Sequence, residues 1–469
     1  MRRTRWRGLT LGLVLVALVG GLGAGSGPAP ASQVGAVPID HIVVIFMENR
    51  SFDHLFGDFP GAEGLASAAA ALPQADKQGD VYPALPQPLD NNNFPAPPVP
   101  DGRFPADLPN AMFDIGRYAP PTQITGDPVH EYYAQQYQIN GGRMDRFVAW
   151  SGVGGLTMGY YDMRDSSIWR WAREYTLADQ FHHAQFGGSM LGAFWLICAC
   201  TPYWPDPPAD FISRPFPDDP DHLKDNVVRP DGYVVNDAQP LMPPYKAGTP
   251  EDHRVPLQTV PHIGDRLDAA GVSWVWYAQG WDDALAGHPS PLFAFHHQAF
   301  NYFADVGADP AAKARHLKDE DDFLRDARLG TLPQVAWLKP TDTYSQHPGE
   351  GEVAAGDRWL NDMLEALRTS PLWPRTAVVV TYDENGGFYD HVPPPVVDEW
   401  GPGVRVPALV ISPYAKRGYV DHTYYDTTSI LKFIEWRWDL PPVAARDAAA
   451  NNLLGAFDFT QAVPGIPKS

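Results

Sequence analysis

From Ile42 to Met47 the chain is apolar without a break (IVVIFM) and rich in β-branched residues. That pattern belongs to a strand covered on both faces of a parallel sheet, where no polar face needs to alternate with an apolar one. Similar runs at Val272–Tyr277, Leu332–Leu338, Ala377–Val380 and Val404–Ile411 predict further buried strands. Helical spacing replaces them elsewhere. Leu360, Met363, Leu364 and Leu367 put one apolar stripe on Arg358–Thr369, and Ser167–Tyr175, Leu191–Cys198 and Ile430–Trp438 are read as helices too. A helix opens with Pro261 in its first turn, shows Ile263 and Leu267 on one face and stops before Gly271. Ala62–Ala71 reads as a short alanine-rich helix. Strands alternating with helices predict an α/β fold: one large domain over 38–469, with a mostly parallel central sheet sandwiched by helices. Two proline-rich insertions, near 73–128 and 203–256, are too long for ordinary connections. They are expected to be ordered excursions over the carboxyl edge, walling a site or merely covering it.

Polar residues gather where two of these strands end. Glu48 and Asn49 follow the first, with Arg50, Ser51 and Asp53 close behind; Asp383, Glu384, Asn385, Gly386 and Gly387 follow the strand at Ala377–Val380. Open α/β sheets bind ligands at the carboxyl ends of their strands. Taken alone, Glu48 and Asn49 could equally be solvated loop residues. Two such tips side by side would pool four oxygen-bearing side chains, Glu48, Asn49, Asp383 and Glu384, around one divalent cation. An all-oxygen set favours Ca2+, with Mg2+, Mn2+ or Fe2+ as alternatives, over zinc.

A nucleophile is suggested by Gly187-Gly188-Ser189 ahead of the helical run Leu191–Cys198. A serine at a helix N-terminus has free N–H groups and the helix dipole to stabilise an alkoxide and a bound phosphate, and a cation on its oxygen would lower its pKa. Gly-Gly-Ser alone is also a common turn. Three histidines fall near strand ends or loops. His130 starts a helix, and His297 follows His296 among aromatics in FAFHHQAFNYF. His347 lies in the loop after Leu332–Leu338, where an imidazole could protonate a leaving oxygen. Their plain readings are a capping residue, core packing and a solvent-facing loop. Asp390 and His391 read as structural support under the site.

Charge and composition narrow the partners. The chain carries 35 basic and 56 acidic residues, a formal charge of −21. Arg2, Arg3, Arg5 and Arg7, the apolar stretch Leu9–Gly25 and Ala29-Pro30-Ala31 resemble a signal peptide over 1–31, with a faint twin-arginine hint. Its removal leaves 31 basic against 56 acidic residues, a formal charge of −25. Such a surface excludes nucleic-acid backbones as partners and leaves no stable membrane span, so a secreted or periplasmic protein is expected. A phosphate-bearing substrate would need a local positive centre. Cys198 and Cys200, one residue apart, are read as separate buried thiols.

ENRSFDHLFG near the start and TYDENGGFYDHVPPP far downstream resemble the bacterial phosphoesterase family of phosphatidylcholine-type phospholipases C and AcpA-type acid phosphatases, within the alkaline phosphatase-like superfamily. The resemblance spans nearly the whole mature chain. It implies that Ser189 forms a phosphoseryl intermediate and also contacts the cation. It further implies that His130 and His297, with His347, hold the phosphate. Gly-Gly-Ser resembles the phosphatase branch, whereas the phospholipase branch carries Gly-Pro-Thr. The phosphatase pattern continues to Asn-His, where this chain has Gly192 and Ala193. The expected function is therefore hydrolysis of small phosphate monoesters. A phospholipase C acting on lipid headgroup diesters is the alternative, and a non-catalytic metal- or ligand-binding relative a more distant one.

Overall fold

The first apolar run forms a strand, His41–Met47 (β1), whose residues from Ile42 onward are fully buried. The computed structural model describes residues 37–68, 71–93 and 95–461, so the expected signal segment at 1–31 lies outside the described residues. The other strands of the main sheet are Thr176–Ala178 (β2), Trp274–Ala278 (β3), Leu317–Lys318 (β4), Val335–Lys339 (β5), Thr376–Tyr382 (β6), Ala408–Ile411 (β7) and Tyr419–Asp421 (β8). They lie in the order β4-β3-β5-β1-β6-β7-β2-β8. All neighbours pair parallel except at β7, which runs against both β6 and β2. The protein is thus α/β with a large, mostly parallel sheet, as the unbroken apolar runs require. Each fully buried Val, Ile or Phe of β1 contributes up to about 1.5–3 kcal/mol.

The helices that matter here are Phe52–Phe56 (α1), Tyr132–Ile139 (α2), Ser167–Glu174 (α3), Ser189–Cys198 (α4), Ile263–Ala269 (α5), Val353–Arg368 (α6) and Thr428–Trp438 (α7). α3 packs on α6, and α4 on α7. Pro261 lies outside α5, whose N-cap is His262: its side chain accepts from Asp265 N–H while Asp265 reaches back to the cap, a reciprocal capping arrangement. The proline-rich stretches are pinned by short ladders, Leu89–Asp90 with Val99–Pro100 and Arg214–Phe216 with Asp219–Lys224.

Two expectations are corrected. Of the expected alanine-rich helix Ala62–Ala71, residues 62–67 are bends and turns instead, and 69–70 lie outside the described residues. Gly64 there presses against the chain so closely that a Cβ would stand 2.0 Å from the Gly57 carbonyl oxygen, so tertiary contact overrides alanine's helix propensity. Cys198 and Cys200 are not separate thiols but a disulfide. Ala199, capping α4, takes a left-handed φ of 45°. That turn brings the two Cα atoms to 5.1 Å, a separation that a disulfide spans.

Candidate active site at the carboxyl ends of the central strands

The register of β1 and β6 aligns Met47 with Tyr382, so Glu48 and Asp383 leave the sheet side by side. Both are fully buried, as are Asn49 and Glu384. Asn49 turns the chain with φ 62°, a conformation asparagine tolerates better than most residues. Its N–H donates to Asp383 Oδ1 at 3.1 Å, and Glu384 N–H donates to the same oxygen at 2.8 Å. Gly386, at φ 61°, closes the turn where a Cβ would lie 2.2 Å from the Asn49 carbonyl oxygen. Only glycine fits there.

Ser189 is the first residue of α4 and almost completely buried. Its hydroxyl donates to Asn49 Oδ1 at 3.2 Å, which joins the serine to the first strand tip. Asn49 Nδ2 lies 3.1 Å from His130 Nε2, while His130 Nδ1–H donates to the Pro128 carbonyl at 2.6 Å. The His347 ring stands edge-on to that of His130, centroids 5.5 Å apart. Its loop is held by Arg50, whose Nε–H donates to the Gln346 carbonyl at 2.8 Å. His297 enters from another side and contacts Glu48 Oε1 directly. Burial, which disfavours imidazolium, pushes His297 down to about 4. For His130 the neighbouring Glu384 and Asp127 carboxylates outweigh burial and raise it to about 10.

A residue that the sequence reading passed over stands at the centre. Lys339, the last residue of β5 and fully buried, places Nζ 2.7 Å from Glu48 Oε1 and 3.1 Å from Asp383 Oδ2. Burial would discharge it, but the two carboxylates raise its pKa. Gln135 was also passed over: it donates to Glu384 Oε2 at 2.8 Å and accepts from Gly187 N–H at 2.9 Å, linking the second strand tip to the serine loop. A lysine as the last letter of an apolar strand was the one available signal for Lys339.

Of the four expected cation ligands, Glu48 and Asp383 thus converge on Lys339, and Asn49 on Ser189, while Glu384 is turned toward Gln135 and Gly386 N–H. Even with Lys339 present, negative charge is in excess. Burial and the adjoining Glu48 raise Asp383 despite Lys339, and burial with Asp383 raises Glu384 well above the carboxylate range despite His130. Glu48 Oε2, Glu384 Oε1 and Asp342 Oδ1 are buried without hydrogen-bond partners. Unpartnered buried oxygens and surplus negative charge fit a divalent cation. Among the described residues, the carboxylate–imidazole groups whose ligand atoms all lie within 4.8 Å of one another are Glu48 with His296 and His297, Asp127 with His130 and His347, Asp53 with Asp390 and His391, and His262 with Asp265 and Asp305. The third is filled by Arg405, whose Nε–H donates to Asp390 Oδ1 at 2.9 Å and Nη2–H to Asp53 Oδ1 at 3.0 Å, so Asp390 and His391 join Asp53 of α1 in an ion-pair network. The fourth is the cap of α5.

The sequence profile of the Phosphoesterase family matches residues 39–441. The chain belongs to that family. It is accordingly a hydrolase acting on phosphate esters, and the resemblance drawn from the two strand-tip motifs holds. Among its relatives, phospholipase C A of Mycobacterium tuberculosis is 28% identical over 473 residues, 93% of this chain and 79% of its own. The non-hemolytic phospholipase C of Burkholderia pseudomallei is 29% identical, covering 90% of this chain and 59% of its own. A solved alkaline phosphatase superfamily protein from Vibrio parahaemolyticus aligns with 68% of this chain and 70% of its own, at 12% identity and a TM-score of 0.34.

Proposed function

We propose that this phosphoesterase acts on small phosphate monoesters through Ser189, outside the cytoplasm. The observation that carries the reading is Ser189 at the N-terminus of a ten-residue helix, with its hydroxyl on Asn49 and the His130 and His347 rings close by. The positive end of the helix dipole at that terminus favours a phosphate oxygen, beside the Met190 N–H that Asp237 Oδ1 already holds at 2.9 Å. Ser189 Oγ attacks phosphorus and gives up its proton to solvent, the ester P–O bond breaks, and the leaving oxygen takes a proton from His347, which regains one from solvent. Water then cleaves the phosphoserine. His130 and His297 orient the phosphate oxygens. A divalent cation held by Glu48, Asn49, Asp383 and Glu384 would polarise a phosphoryl oxygen and acidify the Ser189 hydroxyl. Export rests on the basic-then-apolar amino terminus.

A second reading, phospholipase C activity on lipid diesters, is favoured by relatives of that name matching over nine-tenths of the chain. The Gly-Gly-Ser segment favours monoesters. Side-by-side assays of an aryl phosphate and phosphatidylcholine vesicles separate the two, with turnover of the aryl phosphate expected to be the faster. Acid quenching during turnover should trap a phosphopeptide containing Ser189. A phosphopeptide from elsewhere, or none in any substrate, overturns the nucleophile assignment.

A further inference from the structure

We propose that Asp237, in the second proline-rich insertion, is a positioning residue that sets the Ser189 hydroxyl for attack. The inference rests on Ser189 as the nucleophile. Four consecutive residues of the insertion, 235–238, reach three segments of the site at once. The Val235 carbonyl oxygen packs on the serine loop, where a Cβ on Gly187 would stand 2.3 Å from it. Asn236 Oδ1 accepts from Tyr132 N–H at 3.1 Å, at the start of the helix that follows His130. Asp237 Oδ1 accepts from Met190 N–H at 2.9 Å, directly after Ser189, and its Oδ2 lies 3.4 Å from His296 Nε2. The Ala238 carbonyl accepts from Tyr302 O–H, in the 3₁₀ turn Ala299–Tyr302 that follows His297.

The carboxylate is offered from a fixed frame. Val235 and Asn236 are buried, Val235 N–H donates to the Val227 carbonyl at 2.9 Å, and Gln239–Pro240 pairs with Arg254–Val255. A helix leaves its first N–H groups without partners inside the helix, and the N-cap side chain ordinarily answers the second or third. The N-cap of α4 is Gly188, which has no side chain to give. Asp237 answers Met190 N–H in its place, from a distant part of the chain, and its charge suits that end of the helix. A Cβ on Gly188 would stand 3.0 Å from Asp237 Oδ1, so both glycines before the serine make room for the insertion. Ser189 opens the turn that this bond holds, and its hydroxyl must stay aimed from there. A misplacement of about 1 Å can cost about 100-fold in rate.

The test is rapid-quench turnover of an aryl phosphate by the metal-loaded full chain. Asp237→Ala should slow phosphate transfer to Ser189, and kcat with it, about 10- to 100-fold. KM, metal content and the urea midpoint should stay near those of the parent, because the carboxylate is 42% exposed and no core packing is lost. Asp237→Asn keeps an acceptor oxygen and should recover most of the rate. Hydrogen exchange at the Met190 amide should quicken in the alanine variant and not in the asparagine one. Gly188→Ala, which crowds Asp237 without removing it, should slow the same step and serves if Asp237→Ala folds poorly. Unchanged transfer in Asp237→Ala, or an asparagine variant as slow as the alanine one, overturns the positioning role. A parent that traps no phosphate on Ser189 overturns the nucleophile reading and this inference with it; trapping at equal rates in parent and Asp237→Ala overturns this inference alone.

Discussion

The ammonium of Lys339 lies 2.7 Å from Glu48 Oε1, and both groups are sealed from solvent. A fixed positive charge therefore sits among the carboxylates at the strand tips before any metal arrives. Removing one partner of a buried ion pair costs roughly 3–5 kcal/mol, because the survivor is left charged and unsolvated. Lys339→Met should destabilise the metal-free protein by about that amount, and divalent cation should restore much of the loss by substituting for the ammonium. Urea unfolding with and without chelator measures both. Equal stability of the variant and the parent in chelator would show that Lys339 is not the compensating charge.

Asp383 accepts from two backbone N–H groups through Oδ1 and from Lys339 through Oδ2. Asp383→Asn puts an amide NH2 where an acceptor is needed. It should lose strand-tip metal, phosphoesterase activity and stability together, and Glu48→Gln should do likewise. Either variant turning over normally with full metal content would refute the pairing of the two tips as a cation site.

Gly192, one turn into α4, is packed against the same aspartate. A Cβ there would stand 3.0 Å from both Cβ and the carbonyl oxygen of Asp383 and 3.2 Å from Gln185 Nε2. The phosphatase pattern's asparagine has no open space at this position. Gly192→Ala should push Asp383 aside by a few tenths of an ångström and weaken metal binding several-fold. It should do so even though alanine favours the helix by roughly 0.5–1 kcal/mol. Metal competition titration and helix-sensitive unfolding report the two effects. Unchanged affinity would mean that α4 absorbs the methyl group without disturbing Asp383.

Buried groups away from the strand tips contribute to the pH dependence of stability. Glu435, buried and sharing the Val443 N–H with Asp447, is pushed up to about 8 by burial and by that second carboxylate. The native state then holds a proton that the unfolded chain has lost, so stability falls as pH rises toward 8. His182 and His183, both buried, are pushed down to about 3 by burial. There the unfolded chain binds the extra protons, so stability falls as pH drops below the ordinary histidine value. Glu435 therefore favours the folded state less as pH rises to 8, and the two histidines less as pH drops below about 6.5, each by at most about 1.4 kcal/mol per pH unit. Urea midpoints at pH 5, 6.5 and 8 test this, and Glu435→Gln should flatten the alkaline side. A midpoint unchanged between pH 6.5 and 8 would rule out the Glu435 assignment.

The sequence alone determined the sheet, the two polar strand tips and the family. Runs such as Ile42–Met47 and Ala377–Val380 read as central strands, so Glu48 and Asp383 were legible as strand tips, and their lying side by side came from the pairing of β1 with β6. Ser189 was legible because glycines followed by a helical run mark a helix start. The tertiary structure decided the rest. Lys339 reads as an ordinary strand end until β5 is placed beside β1. Gln135 carries no local signal, because its role depends on Gly187 and Glu384, which only folding brings to it. The disulfide depended on the left-handed turn at Ala199, and the absence of helix over 62–67 on the close approach of Gly64 to Gly57. Periodicity records which face of an element is buried. Which charge meets which across the strand ends is a matter of register and order in the sheet, and those exist only once the chain has folded.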